Sequence, residues 1–244
     1  MSKLAWKDIH TVLLDMDGTL LDLHFDNHFW LEHLPKKLVE KHNMSLQAAK
    51  DMMAVECDQV MGTLSWYCLD FWADKLDIDI VEAKREIEHL ISMRDDSLPF
   101  IDALKASGRE VILVTNAHPD SLSLKVKHTQ LDEHIDQLIS THEFAVTKES
   151  QLLWQKLQAK LGFDPQNTLF VDDSLGILKA AQDFGIKHLL AVSNPDSKQP
   201  TRDISEFPSV QDYRYLLGEI KASPIIGRNP IQPKIAKGVN CLKT

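Results

Sequence analysis

The stretch VLLDMDGTLLD, residues 12–22, closes an apolar run with two aspartates, Asp15 and Asp17, followed by Gly18 and Thr19. Carboxylates held this close repel one another and resist burial, so packing does not select them and a positive partner is required nearby. Two further apolar runs end in the same way. EVILVTN (110–116) ends in Thr115 and Asn116, and NTLFVDD (167–173) ends in Asp172 and Asp173. Four carboxylates gathered on one rim destabilise each other unless a cation sits among them, and hard oxygen donors suit Mg²⁺. Lys148 would bring a second positive charge to that rim, a combination suited to a phosphoryl group.

These residues meet only if their strands share a sheet. TVLLD (11–15), EVILVTN, QLIS (137–140), NTLFVDD and KHLLAV (187–192) read as strands, the strongest being continuous Val/Leu/Ile runs typical of strands buried on both faces. Helical patterns lie between them. LPFIDALKASG ends in a glycine suited to a helix C-terminus, PDSLSLKVKHT begins with a proline suited to an N-terminus, and 149–161 spaces its leucines helically. The resulting βαβα order predicts a mostly parallel sheet covered by helices, with ligands bound outside the carboxyl ends of the strands. Residues 24–95 break this order with helical segments and no convincing strand, so they read as an inserted helical domain. The expected division is a core of residues 1–23 and 96–221, an insertion of 24–95, and a loosely ordered tail of 222–244 mixing Pro, Gly and Lys.

Composition narrows the function classes. A chain of 244 residues with 43% hydrophobic content can bury a sizeable core. Its formal charge of -9 gives no basic footprint for a nucleic-acid polymer or an anionic membrane, while leaving room for a small anionic ligand. Cys57, Cys68 and Cys241 are odd in number and form no CxxC pair, which suits free thiols in a reducing compartment. With neither a signal-peptide pattern nor an apolar run long enough to span a bilayer, the expectation is a cytoplasmic protein of unspecified oligomeric state.

DMDGT (15–19), VTN (114–116), Lys148 and VDDS (171–174) occur in the order and approximate spacing of the four motifs of the haloacid dehalogenase superfamily, which this chain resembles over residues 10–195. The phosphatase branch is the better match, because the second aspartate of DMD is absent from the dehalogenase branch. WKDIHTVLLDMDGTLLDLHFDNHFW, TLSWYCLDFW, TNAHP and NPDS further resemble its purine 5'-nucleotidases. The resemblance implies a Rossmann-like core with a mobile helical cap, Mg²⁺ as cofactor, and GMP and IMP as small-molecule phosphate monoester substrates. It also implies Asp15 as nucleophile and Asp17 as general acid/base. Thr115 and Asn116 would bond the phosphoryl group, and Lys148 would hold it while neutralising Asp15. Asp15, the main-chain carbonyl at Asp17, Asp173 and, through water, Asp172 would hold the metal. Lys148 is followed by Glu149 where many relatives carry proline. The alternatives are a phosphatase for phosphoglycolate or sugar phosphates, and a non-catalytic module that docks a partner.

Other residues carry weaker signals. Gly18 would permit close backbone approach or a positive φ, and Thr19 could orient Asp17 through its hydroxyl. Ser174 is placed to cap the helix that follows. Arg94 could reach a phosphate bidentately, or equally pair with Asp95 or Asp96. In SWYCLDFW, Tyr67 and Trp72 could stack a base, although such a cluster is more often core.

Overall fold

The computed structural model describes residues 4–225. Six strands form one sheet in the order β3-β2-β1-β4-β5-β6: β1 Thr11–Leu14, β2 Glu110–Thr115, β3 Gln137–Ser140, β4 Thr168–Asp172, β5 His188–Val192 and β6 Ser209–Val210. Every pairing is parallel, and β1 lies between β2 and β4. The five expected strands are all present; the two-residue β6 was not anticipated from the sequence. β1 illustrates why the strands are continuously apolar. Val12 and Leu14 join the core on one face with Phe100, Leu104 and Tyr213, while Leu13 joins the core on the other with Trp154, Leu157 and Phe170.

Between β1 and β2 run α1 (His24–His28), a π-helical turn (Phe29–His33), α2 (Leu34–His42), α3 (Leu46–Val60), α4 (Leu64–Tyr67), α5 (Leu69–Leu76) and α6 (Ile80–Arg85). Phe25, Phe29, Leu38, Met53, Trp72 and Ile80 gather there into a third apolar cluster, which meets the core at Leu124. A short bridge between Leu21 and Met93 brings the two ends of the insertion side by side. The core helices are α7 (Ser97–Ala106), α8 (Pro119–Thr129), α9 (Gln151–Leu161), α10 (Leu175–Phe184) and α11 (Leu217–Lys221). Among the described residues, no helix is long and apolar enough to cross a membrane.

The tail expected from 222 lies outside the described residues from 226 onward. Its first residues are tied down: the Ile225 amide donates to the Ser107 carbonyl at 2.8 Å, and the Ser223 carbonyl accepts from Arg109 at 2.8 Å.

Candidate active site

The sheet brings Asp15, Asp17, Thr115, Asn116, Lys148, Asp172 and Asp173 to the wall of one cavity of about 730 Å³. Asp15 extends β1 by one residue, its amide donating to the Val171 carbonyl at 3.0 Å. The chain then turns sharply, with the Met16 carbonyl accepting from the amides of Thr19, Leu20 and Leu21. Gly18 sits in that turn at φ +81°, and a Cβ on it would stand 2.8 Å from Cγ of Asp173. Glycine is required there on both grounds, left-handed backbone and contact with a carboxyl group.

Lys148 is buried with its ammonium between two acids, donating to Oδ1 of Asp15 at 2.5 Å and Oδ2 of Asp172 at 2.7 Å. Its backbone is fixed from both sides. The amide donates to Oδ1 of Asn116 at 3.0 Å, and the carbonyl accepts from the Trp154 indole at 2.9 Å. Asn116 thus shapes the lysine loop as well as facing the cavity, and its amide nitrogen donates to Glu149 at 3.1 Å. Asp172 also accepts the Ser174 amide at 2.8 Å. Ser174 occupies the N-cap position of α10, but its own side chain makes no capping bond.

Asp15, Asp172 and Asp173 each offer an oxygen within 4.8 Å of the others. Burial, reinforced by the Asp172 charge and opposed by Lys148, raises Asp15 to about 6. Burial, followed by the charges of Asp172 and Asp15, holds Asp173 well above the ordinary carboxylate range. Burial opposes the ammonium of Lys148, but Asp15 and Asp172 outweigh it and raise its pKa. Two buried carboxylates and the partly exposed Asp173, against the Lys148 ammonium and Arg202 3.8 Å from Asp173, still leave a deficit of positive charge among hard oxygens, the donor set that fits Mg²⁺.

The Asp17 carboxylate turns away from this group. Lys125 of α8 lies 2.7 Å from its Oδ1 and 2.6 Å from Oδ2 of Asp26, and Lys84 lies 2.8 Å from Oδ1 of Asp26. Asp26 belongs to α1 and Lys84 to α6, so the insertion reaches Asp17 through α8. Burial first, then the charges of Asp26 and Asp15, raise Asp17 to about 6 against the pull of Lys125. Among the described residues the Thr19 hydroxyl has no hydrogen-bond partner, so Lys125, and not Thr19, is the side chain that engages Asp17. Any metal contact from Asp17 therefore falls to its main-chain carbonyl.

The model of the haloacid dehalogenase-like hydrolases matches residues 9–185. The chain belongs to that family. It is a hydrolase, and its likeness to a nucleotidase places it with the phosphoric monoester hydrolases. It is 47% identical over 214 residues to the GMP/IMP nucleotidase YrfG of Escherichia coli (strain K12), covering 88% of this chain and 96% of that one. An (S)-2-haloacid dehalogenase of Pseudomonas fluorescens is 29% identical over 90 residues, 37% of this chain and 40% of that one. The fold is that of a HAD phosphatase from Thermococcus onnurineus, at TM-score 0.71 and 22% identity, covering 91% of this chain and 100% of that one.

Arg94 is not brought to the site. Its guanidinium pairs bidentately with Asp96 at 3.2 and 3.1 Å and donates to the carbonyls of Asn194 and Gln211, away from the cavity wall. A fork already satisfied by a carboxylate and two carbonyls is a structural tie. Trp72 is packed in the apolar cluster of the insertion, 1% exposed and donating to the Trp66 carbonyl at 3.0 Å, while also reaching the cavity wall. Tyr67 instead donates to Glu149 at 2.8 Å, so the glutamate that departs from the family pattern joins the insertion to Asn116. Sequence reasoning missed Asp26, Lys84 and Lys125. One signal was legible: Lys125 lies on the face of α8 that buries Ser121, Leu122 and Leu124.

Proposed function

We propose that this hydrolase is a Mg²⁺-dependent phosphatase of purine 5'-nucleotides, with GMP and IMP as favoured substrates. The observation that carries the reading is the continuity of the Asp15 and Lys148 group with one large cavity walled by Trp30, Trp66, Met53 and Leu69 of the insertion. A phosphoryl-binding end and an apolar chamber of about 730 Å³ fit a phosphate joined to a flat heterocycle, and exceed what phosphoglycolate would fill. The 47% identical relative named for GMP and IMP supports the same choice.

Asp15, Asp172 and Asp173 would hold Mg²⁺, which when bound supplies the positive charge this group lacks. The Asp15 carboxylate attacks phosphorus in line, steadied by Lys148, while Thr115 and Asn116 hold phosphoryl oxygens. Asp17 donates its proton to the departing 5'-oxygen. At an ordinary pKa only about one Asp17 in a thousand would be protonated at pH 7, whereas near 6 about one in ten is. Asp17 then removes a proton from the water that hydrolyses the aspartyl-phosphate on Asp15, releasing phosphate and nucleoside.

Phosphate release with Mg²⁺ from GMP, IMP, AMP, a pyrimidine nucleotide, phosphoglycolate and sugar phosphates tests this, with Asp15→Asn as control. Selective release from GMP and IMP that disappears in the variant is the expected result. Preference for another monoester would keep the chemistry and discard the substrate.

A further inference from the structure

Most charged residues on the cavity wall are committed to one another at the strand ends. Lys148 holds Asp15 and Asp172, and Lys125 and Lys84 hold Asp17 and Asp26. Glu32 and Lys50 line the same cavity but belong to neither group. Among the described residues they pair only with each other, Lys50 Nζ standing 2.9 Å from Oε1 of Glu32. Glu32 lies on the π-helical turn Phe29–His33, a distortion found often at functional sites, and its neighbours Trp30 and Leu31 line the cavity too. Lys50 comes from α3, beside Met53 on the same wall. The surrounding wall is apolar and aromatic, so this pair offers a ligand one carboxylate acceptor and one ammonium donor side by side. Lys50 also draws Glu32 below its ordinary range, keeping it ionised and acceptor-only.

Resting on the purine-nucleotide reading, we propose that Glu32 and Lys50 recognise the 6-oxopurine edge of the base and reject adenine. A 6-oxopurine carries an N1–H donor next to a C6 carbonyl acceptor, the complement of a carboxylate beside an ammonium. Glu32 accepts from N1–H, and in guanine also from the 2-amino group, while Lys50 donates to O6. Adenine inverts both positions. Its bare N1 would face the carboxylate and its 6-amino group the ammonium, leaving donors against donors and acceptors against acceptors. Sites built on such hydrogen bonds discriminate more strongly than apolar pockets, which serve only to hold the ring faces. The pair is half-exposed and of little consequence for folding, so replacing either residue leaves the chain folded.

The test compares kcat/KM for IMP, GMP, AMP and the base-free ester p-nitrophenyl phosphate, with Mg²⁺, in the wild type, Glu32→Gln and Lys50→Met. The preference for IMP over AMP should fall about tenfold or more in each variant, mainly through KM, with p-nitrophenyl phosphate hydrolysis unchanged. An unchanged preference in both variants would overturn the assignment while leaving the purine reading intact. An equal loss on p-nitrophenyl phosphate would overturn it too, by placing the pair in folding or chemistry. A wild type that hydrolyses p-nitrophenyl phosphate but shows no preference for IMP or GMP would overturn the purine reading and this inference together.

Discussion

Two buried lysine and aspartate clusters flank the end of β1, and their charge counts differ. In the first, Lys148 faces Asp15 and Asp172 with Asp173 beside them, and Arg202 stands 3.8 Å from Asp173, three acids against two bases. In the second, Lys125 and Lys84 face Asp17 and Asp26, two against two. In the proposed function the unbalanced cluster would attract a further cation and hold phosphate. The balanced cluster satisfies itself, and so would fix the position of an acid that gains and loses a proton. Asp15 and Asp17 are two residues apart yet face opposite electrostatic demands, because the turn at Gly18 sends their side chains to different partners.

The comparison breaks most sharply at Asp15. Asp15→Asn should lower phosphate release by a factor on the order of 10⁴ or more, because an amide cannot attack phosphorus. The same variant relieves repulsion among the three acids, so the metal-free protein should melt no lower than wild type in calorimetry. Lost activity with unchanged or raised melting marks a functional cluster; a cooperative loss of both would make it structural.

Lys125→Met probes the balanced side. Removing one partner leaves Asp17 and Asp26 buried with a single lysine, and breaking a buried pair costs about 3–5 kcal/mol. The kcat should also fall roughly 10²- to 10³-fold, since Asp17 loses the contact that positions it as acid and base. Phosphate binding through Lys148 should survive, so competitive inhibition by inorganic phosphate is the separating measurement. A variant that keeps wild-type kcat would reduce the second cluster to a packing element.

The first cluster and the strands were legible in sequence for a shared reason: both are local. Short Val and Leu runs ending in acids declare themselves within a dozen residues, and in a parallel sheet those ends must lie on one rim. The second cluster joins Asp17, Asp26, Lys84 and Lys125 across long separations, and no spacing rule encodes such a meeting. Taken singly, each of its lysines resembles any helix-surface lysine. The π-helical turn at Phe29–His33 and the two-residue β6 escaped for the same kind of reason, since each depends on tertiary packing more than on local pattern. Arg94 shows a reading that sequence left open. Its position at the return from the insertion allowed phosphate or a pair with Asp95 or Asp96; the structure chooses Asp96 and adds the carbonyls of Asn194 and Gln211, which no local pattern announces.

Acidity sets Asp26 against the other acids. Asp15 and Asp17 are raised to about 6 and Asp173 well above 3.8, so the folded chain binds protons that the unfolded chain has already lost. That stabilisation is full below the ordinary carboxylate range and is lost as pH rises through about 6. Asp26 runs the other way: Lys125 and Lys84 outweigh its burial and lower its pKa, so its contribution is present above 3.8 and lost as pH falls below. Metal-free protein should therefore melt higher at pH 5 than at pH 7. Saturating Mg²⁺ keeps the first cluster ionised, so it should raise the melting temperature at pH 7 and flatten the profile between pH 5 and 7. Identical calorimetric profiles with and without Mg²⁺ would place the cation elsewhere.

The smallest effect is expected at Arg94, a largely covered cation outside both clusters. Arg94→Lys keeps the charge but cannot reproduce a fork that spans Asp96, Asn194 and Gln211. About 1–3 kcal/mol of stability should be lost, a fall of several degrees in melting temperature for a chain of this size. Activity at 25 °C should stay within about twofold, because Arg94 contacts neither cluster and does not line the cavity. This variant separates the loss of any buried cation from the loss of Lys125. If Arg94→Lys and Lys125→Met lowered kcat alike, their shared effect would be loosened folding, and the balanced cluster would have no special claim on Asp17.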